Sequence, residues 1–309
     1  MTLAAGLAAL SDTLGRPWRT RFAPAPTGWL HLGHAVNAVW VWGLARAFHG
    51  QVVLRIEDHD RGRSRPEFER GILDDLSWLG LGPDEGVDAG GLLTLRQSDH
   101  GARYAGALAT LDAAGRVYAC TCSRRDIVVA AGDSPNGETR YPGTCRVADT
   151  PRASTSARRV RLDDTVEQFT DLRLGVREQR PAEQCGDVLV RDRHNDWTYQ
   201  WCVTTDDRDQ AIDVVIRGED ILSSTGRQLA LARLLGRATP PLFLHHPLVT
   251  HADGAKLSKA NRDTGLRDLR AAGKTASDVL GMAAHASGLI GHLRPVRAEA
   301  LGSLFSPSS

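Results

Sequence analysis

Arg21-Phe22-Ala23-Pro24-Ala25-Pro26-Thr27-Gly28-Trp29-Leu30-His31-Leu32-Gly33-His34 is the segment from which the rest of this chain can be read. A short apolar run ends in an arginine, and two prolines with Gly28 stop the strand in a tight loop. His31-Leu32-Gly33-His34 then opens an amphipathic helix expected to run to about Phe48 and to stop at Gly50. Gly33 has no side chain, so another group can approach the backbone at the helix start. A helix N-terminus carries partial positive charge and unpaired N–H groups, which favours a phosphate. Two imidazoles there can donate hydrogen bonds to a nucleotide. With 11 His and 31 Gly in 309 residues, a chance His-x-Gly-His arises about four times in a hundred such chains, so context must decide.

Outward from that helix, Gln51 to Ile56 is an apolar, β-branched run. Strand, helix and strand make a βα unit with a parallel sheet. Glu57, Asp58 and Asp60 follow at the strand's carboxyl end, where open α/β sheets place ligands. By position alone Glu57 is either a ligand group or an exposed loop carboxylate. Pro66 to Leu79 has helical spacing of Phe68, Ile72, Leu76 and Leu79. A further helix is expected over about Asp99 to Ala114. Ile212 to Ile216 is a second buried strand, ending at Arg217-Gly218-Glu219-Asp220 before a helix over Ile221 to Leu235. His251 to Asn261 is a polar, glycine-containing loop with Lys256 and Lys259.

The formal charge of +1 does not announce a nucleic-acid binder, so any such contact must use local clusters such as Arg61, Arg63 and Arg65 or Arg158, Arg159 and Arg161. No apolar run approaches the roughly 20 residues that span a bilayer. Met1 to Arg16 lacks a basic patch and a cleavage site, and is expected to be a frayed helical extension without a signal peptide. Five cysteines, an odd number, argue for a reducing compartment, the cytoplasm. No internal repeat or low-complexity segment is visible.

Between about Cys120 and Asp187 the pattern becomes loop-rich. Cys120-x-Cys122 and Cys145, with Tyr141 four residues before Cys145, offer three thiolates and a phenol oxygen for a closed, tetrahedral, structural zinc site. His194 is an alternative fourth ligand. Cys185 and Cys202 have no comparable spacing and are expected to be structural.

Taken together, these blocks resemble the class I aminoacyl-tRNA synthetases of the glutamyl type. The opening segment resembles that family's first signature, and Arg55-Ile56-Glu57-Asp58-x-Asp60 its glutamate-site strand end. Val215-Ile216-Arg217-Gly218-Glu219-Asp220 resembles a third block and Lys256-Leu257-Ser258-Lys259 the lysine loop. About 50 residues follow that loop. With the cysteine insertion and Lys-Leu-Ser-Lys-x-Asn, this resembles the truncated branch of the family, the glutamyl-Q tRNA(Asp) synthetases.

The resemblance implies an α/β fold: a class I, Rossmann-like parallel sheet with a zinc-binding insertion and a short helical C-terminal segment. The divisions expected are an extension over 1–17, catalytic halves over 18–116 and 191–250, the insertion over 117–190, and lysine loop plus tail over 251–309 without an anticodon-binding domain. It implies activation of L-glutamate with ATP and magnesium, then transfer to queuosine at the wobble position of tRNA-Asp. His31, His34, Lys256 and Lys259 would serve catalysis, with Gly33 and His245 also at the ATP. Arg21, Ala23, Ala25, Glu57, Tyr199 and Arg217 would hold glutamate. Two departures stand out: Ala25 where the family usually has serine, and His59 at a variable place. A monomer is expected, with no membrane partner. The alternatives are a related ligase using another acceptor (a tRNA 3′ end, a peptide or an amine), a small nucleotidylyltransferase, and a non-catalytic RNA-binding module.

Overall fold

The computed structural model describes residues 3–131, 138–148, 153, 155–248 and 265–305. The chain begins with α1 (Leu3–Leu14), β1 (Arg19–Phe22), α2 (Leu32–Ala47), β2 (Gln51–Leu54), α3 (Pro66–Leu79) and α4 (Gly101–Ala113). Next come β3 (Val117–Cys120), α5 (Arg124–Ala131), α6 (Thr144–Val147), β4 (Ala157–Val160), β5 (Glu167–Asp171), β6 (Gly175–Gln179), α7 (Pro181–Gln184) and β7 (Val188–Arg191). The remainder holds α8 (Tyr199–Asp209), β8 (Val214–Gly218), α9 (Thr225–Leu234), β9 (Leu242–His246), α10 (Leu266–Ala271) and α11 (Ala276–Ala286).

β1 and β2 pair in parallel, Arg21 opposite Val53, and β8 and β9 pair in parallel, Arg217 opposite His245. The two pairs lie side by side, with the Asp213 N–H donating to the Arg19 carbonyl at 2.9 Å. Parallel strands buried on both faces read as continuous apolar runs, as Val52-Val53-Leu54 and Val214-Val215-Ile216 do. The carboxyl ends of these strands converge on one edge, which sets Arg21, Glu57 and Arg217 near one another.

α2 is the centre of the core and not an amphipathic surface helix. Ala35, Val36 and every residue from Ala38 to Ala45 are buried, and a helix apolar all round belongs in an interior. Two expected peripheral pieces join this core. In α1, Leu7 is fully buried in the same core, so the N-terminal segment docks instead of fraying. The tail packs α11 and a 3-10 turn, Ala298–Leu304, onto the helix. A Cβ on Gly43 would lie 2.2 Å from the Phe305 ring, so glycine is what lets the tail approach.

The expected insertion is two pieces. β3, β4 and β7 form an antiparallel sheet around the cysteines. The hairpin of β5 and β6 instead extends the main sheet, with β5 parallel to β9 at Asp171 and Phe243. Among the described residues no helix is long and apolar enough to cross a membrane.

Candidate active site

The start of α2 is capped by its own histidines. His31 is the N-cap, with φ −133° and ψ 176°. Its Nδ1 accepts from the Gly33 N–H at 3.1 Å, while His34 Nδ1 accepts from the His31 N–H at 3.1 Å. This is a reciprocal capping box built from imidazoles. Because both Nδ1 atoms accept, each neutral ring carries its hydrogen on Nε2. Sequence reading gave Gly33 to the approach of a ligand. A Cβ there would lie 2.9 Å from His31 Cε1, so the first group that needs the space is His31 itself.

Arg21 on β1 and Glu57 after β2 belong to one buried charge network. Arg21 Nε donates to the two Asp207 carboxylate oxygens at 3.2 and 3.3 Å, and its Nη1 donates to the Ile216 carbonyl at 3.2 Å. Nη2 makes no hydrogen bond among the described residues. Arg55, fully buried, donates Nη1 to Asp207 Oδ1 at 2.8 Å and to Gln210 Oε1 at 2.9 Å. Its Nη2 reaches Glu57 Oε1 at 3.2 Å. Glu57 is therefore a buried, arginine-held carboxylate and not an exposed loop group. Burial pushes its pKa up, opposed chiefly by Arg55. For Asp207 burial also acts upward, but Arg21 and Arg55 outweigh it and hold the carboxyl below its usual range.

Arg217 on β8 is gripped on three sides. Nε donates to His245 Nε2 at 3.0 Å, Nη1 to Gln228 Oε1 at 2.6 Å and Nη2 to Thr225 Oγ1 at 2.8 Å. Since His245 Nε2 accepts, its Nδ1–H donates to Asp171 Oδ2 at 2.6 Å. Burial lowers the His245 pKa, which keeps the ring neutral. The expected adenosine contact of His245 does not match this placement. The side chain is wholly inaccessible, and it accepts from Arg217. Tyr199, the first residue of α8, lies where the charges of Glu57, Arg217 and Arg21 act on its hydroxyl.

Ala23 and Ala25 flank the buried Pro24, whose carbonyl accepts from the Glu57 N–H at 3.1 Å. This continues the β1–β2 pairing and lays the first signature beside Glu57. The structure thus gathers Arg21, Ala23, Ala25, Glu57, Tyr199 and Arg217 around one sheet edge, with His31 and His34 on the helix that follows β1. Lys256 and Lys259 lie outside the described residues. Sequence reading missed Asp207 and the framework role of Arg55, whose partners lie far away along the chain.

The cysteine cluster forms as expected. The sulfurs of Cys120, Cys122 and Cys145 lie within 4.8 Å of one another. Cys122 Sγ and Cys145 Sγ are 3.5 Å apart, and Cys120 Sγ is 3.6 Å from Tyr141 Oη, which accepts from the Cys145 N–H at 2.9 Å. Sulfurs about 3.8 Å apart are what a tetrahedral zinc with bonds of about 2.3 Å requires, so the donor set fits. Arg159 supports it, with Nε donating to Cys120 Sγ at 3.4 Å and its guanidinium 3.7 Å from the centre of the Tyr141 ring. His194 is exposed and outside the cluster.

The family model for the catalytic domain of class I tRNA synthetases (E and Q) matches residues 17–277. A glutamyl-Q tRNA(Asp) synthetase of Symbiobacterium thermophilum is 42% identical over 297 residues, covering 92% of this chain and 91% of that protein. The chain belongs to the glutamyl-Q tRNA(Asp) synthetase family. It is an enzyme, a class I ligase. Another member of that family, from Nitratidesulfovibrio vulgaris, is 41% identical over 287 residues, covering 88% of this chain and 87% of its own. In fold, the chain is similar to a solved glutamate tRNA ligase from Elizabethkingia meningosepticum, with a TM-score of 0.75 at 22% identity. The match covers 93% of this chain and 64% of that one.

Proposed function

We propose that this enzyme activates L-glutamate with ATP and transfers the glutamyl group to queuosine in tRNA-Asp. The observation that carries the reading is Arg21: a buried fork, immobilised by Asp207 and the Ile216 carbonyl, with Nη2 making no hydrogen bond among the described residues, beside Glu57 and Tyr199. A planar guanidinium suits a carboxylate better than a lysine does. Facing the glutamate side chain, it would reject glutamine, whose amide leaves the charge unpaired. Glu57 takes the substrate ammonium, and the remaining N–H groups of Arg217 serve a carboxylate.

Activation is in-line attack of the glutamate α-carboxylate on the α-phosphorus of ATP, with pyrophosphate leaving. It needs positioning and charge stabilisation more than a nucleophilic side chain. His31 and His34 present Nε2–H donors at the positive end of α2, with Gly33 between them. Lys256 and Lys259 neutralise the departing pyrophosphate, and magnesium accompanies the nucleotide. Zinc on Cys120, Cys122, Cys145 and Tyr141 holds the β3 end of the antiparallel sheet and takes no part in the chemistry. ATP and tRNA as substrates place the reaction in the cytoplasm, and a monomer suffices for it.

Glutamate-dependent ATP–pyrophosphate exchange, with and without tRNA, tests this reading. Exchange without tRNA, followed by transfer to tRNA-Asp carrying queuosine, is the expected result. Exchange that strictly requires tRNA, or glutamate ending on a tRNA 3′ end, a peptide or an amine, would replace the acceptor. No exchange at all would overturn the assignment.

A further inference from the structure

His59 stands two residues after Glu57 and takes no part in the binding network described above. Its ring is half-buried, and its centre lies 6.2 Å from that of Tyr199, so it borders the proposed glutamate pocket. The one hydrogen bond its ring makes among the described residues joins Nδ1 to Gln97 Oε1 at 2.7 Å.

That bond fixes the tautomer through a chain of three groups. Gln97 is buried, and its Nε2 donates to Asp206 Oδ2 at 2.9 Å. Asp206 is wholly buried and surrounded by donors. Tyr104 Oη donates to it at 2.9 and 3.1 Å and Arg103 Nη1 at 3.2 Å, while Arg55 Nε lies 3.8 Å away. Burial raises the Tyr104 pKa, keeping that hydroxyl a donor. A carboxylate held by donors accepts only, so the Gln97 NH2 must face it and the Gln97 carbonyl must face His59. A carbonyl also accepts only, so His59 Nδ1 carries the hydrogen. In the neutral ring the lone pair is then on Nε2. An amide between carboxylate and imidazole cannot relay a proton; its effect is to orient the base.

We propose that His59 is the general base of the transfer step, a role that rests on the glutamyl-transfer reading above. The acceptor hydroxyl oxygen attacks the carbonyl carbon of glutamyl-adenylate, and a carbon–oxygen bond forms. The bond from that carbon to the phosphate oxygen breaks, and AMP leaves with the electron pair. The hydroxyl proton passes to His59 Nε2, and the imidazolium then releases it to water. Gln97 is the positioning residue and Asp206 the anchor behind it.

The test is His59→Asn, whose amide NH2 keeps the donor to Gln97 but supplies no base. Exchange with glutamate and ATP is measured beside single-turnover transfer to queuosine-bearing tRNA-Asp. General base catalysis is commonly worth about 10² to 10⁴ in rate, so the transfer-to-exchange ratio is expected to fall at least about 100-fold. His59→Gln provides a second sample if the first variant is insoluble. A ratio close to that of the unaltered enzyme overturns the proposal. Equal losses in both reactions also overturn it, because the residue would then serve the pocket as a whole. Absence of exchange in the unaltered enzyme removes the glutamyl reading itself, and this proposal with it.

Discussion

Arg55 Nη1 meets Asp207 Oδ1 at 2.8 Å, with the arginine wholly buried, and the same carboxylate receives Arg21. The pair locks α8 against the segment after β2. It sets Arg21 on one side and Glu57 on the other, because Arg55 reaches both carboxylates at once. Burial works against the Arg55 charge, but Asp207, Asp206 and Glu57 outweigh it and raise its pKa. Such a cluster stands only while every member is present, since a buried ion left alone costs several kcal/mol.

Asp207→Asn removes one charge from this cluster while keeping its size. The expected loss of stability is about 3–5 kcal/mol, read by denaturant unfolding. In the surviving folded fraction KM for glutamate rises at least about tenfold while KM for ATP changes little, because Arg21 loses its tether. Equal effects on both substrates would contradict the assignment of Arg21.

Gly33→Ala separates capping from catalysis. The new Cβ pushes the His31 ring from the Gly33 N–H, a cap loss of about 1 kcal/mol. Because His31 is also expected at the phosphates, exchange falls by more than that cost explains, about 100-fold. Full exchange with a lowered melting temperature would restrict His31 to capping.

Asp75→Asn tests a buried acid away from the reaction. Asp75 lines a cavity of 620 Å³ with Trp29, Arg267 and Arg270, and its Oδ2 has no partner among the described residues. Burial pushes it up to about 6, with Asp74 acting in the same direction and Arg270 and Arg267 against it. Below the ordinary value of about 4, both folded and unfolded chains hold the proton. Between the two values the unfolded chain loses it first, so the native state binds more protons and stability falls as pH rises. The variant should lack this loss and be more stable at pH 7 by about 1–2 kcal/mol after solvent screening. Unfolding curves at several pH values check it; identical pH profiles would refute the shift.

Metal analysis of the purified chain should find about one zinc per molecule. Chelation should raise the protease sensitivity of the segment around β3 and β4, and Cys145→Ser should do the same without a chelator. A chain that carries no zinc, and gains none when zinc is added, would refute the ligand set.

Much of this site can be read locally. The proline turn, the start of α2 and the apolar strands depend on neighbours within four residues, so their sequence spacing reports them. Glu57 was visible as a carboxylate at a strand end, but not its burial. Its state depends on Arg55, which in turn depends on Asp207, 152 residues further on. The burial of His245 is hidden for the same reason, since its partner Asp171 lies 74 residues before it.

By itself the sequence determined the family, the parallel βα architecture, the position at which α2 starts and the three-cysteine cluster. These rest on local backbone preference and on motifs whose residues act together over short spacings. Only the tertiary structure decided that α1 joins the core, that the tail packs on α2, and that the β5–β6 hairpin belongs to the main sheet. It alone showed that Arg21 and Arg217 are held by different partners, and that Gln97 sets the tautomer of His59. Each of these depends on which distant groups share a low-dielectric interior, where every donor must meet an acceptor and every charge a counter-charge.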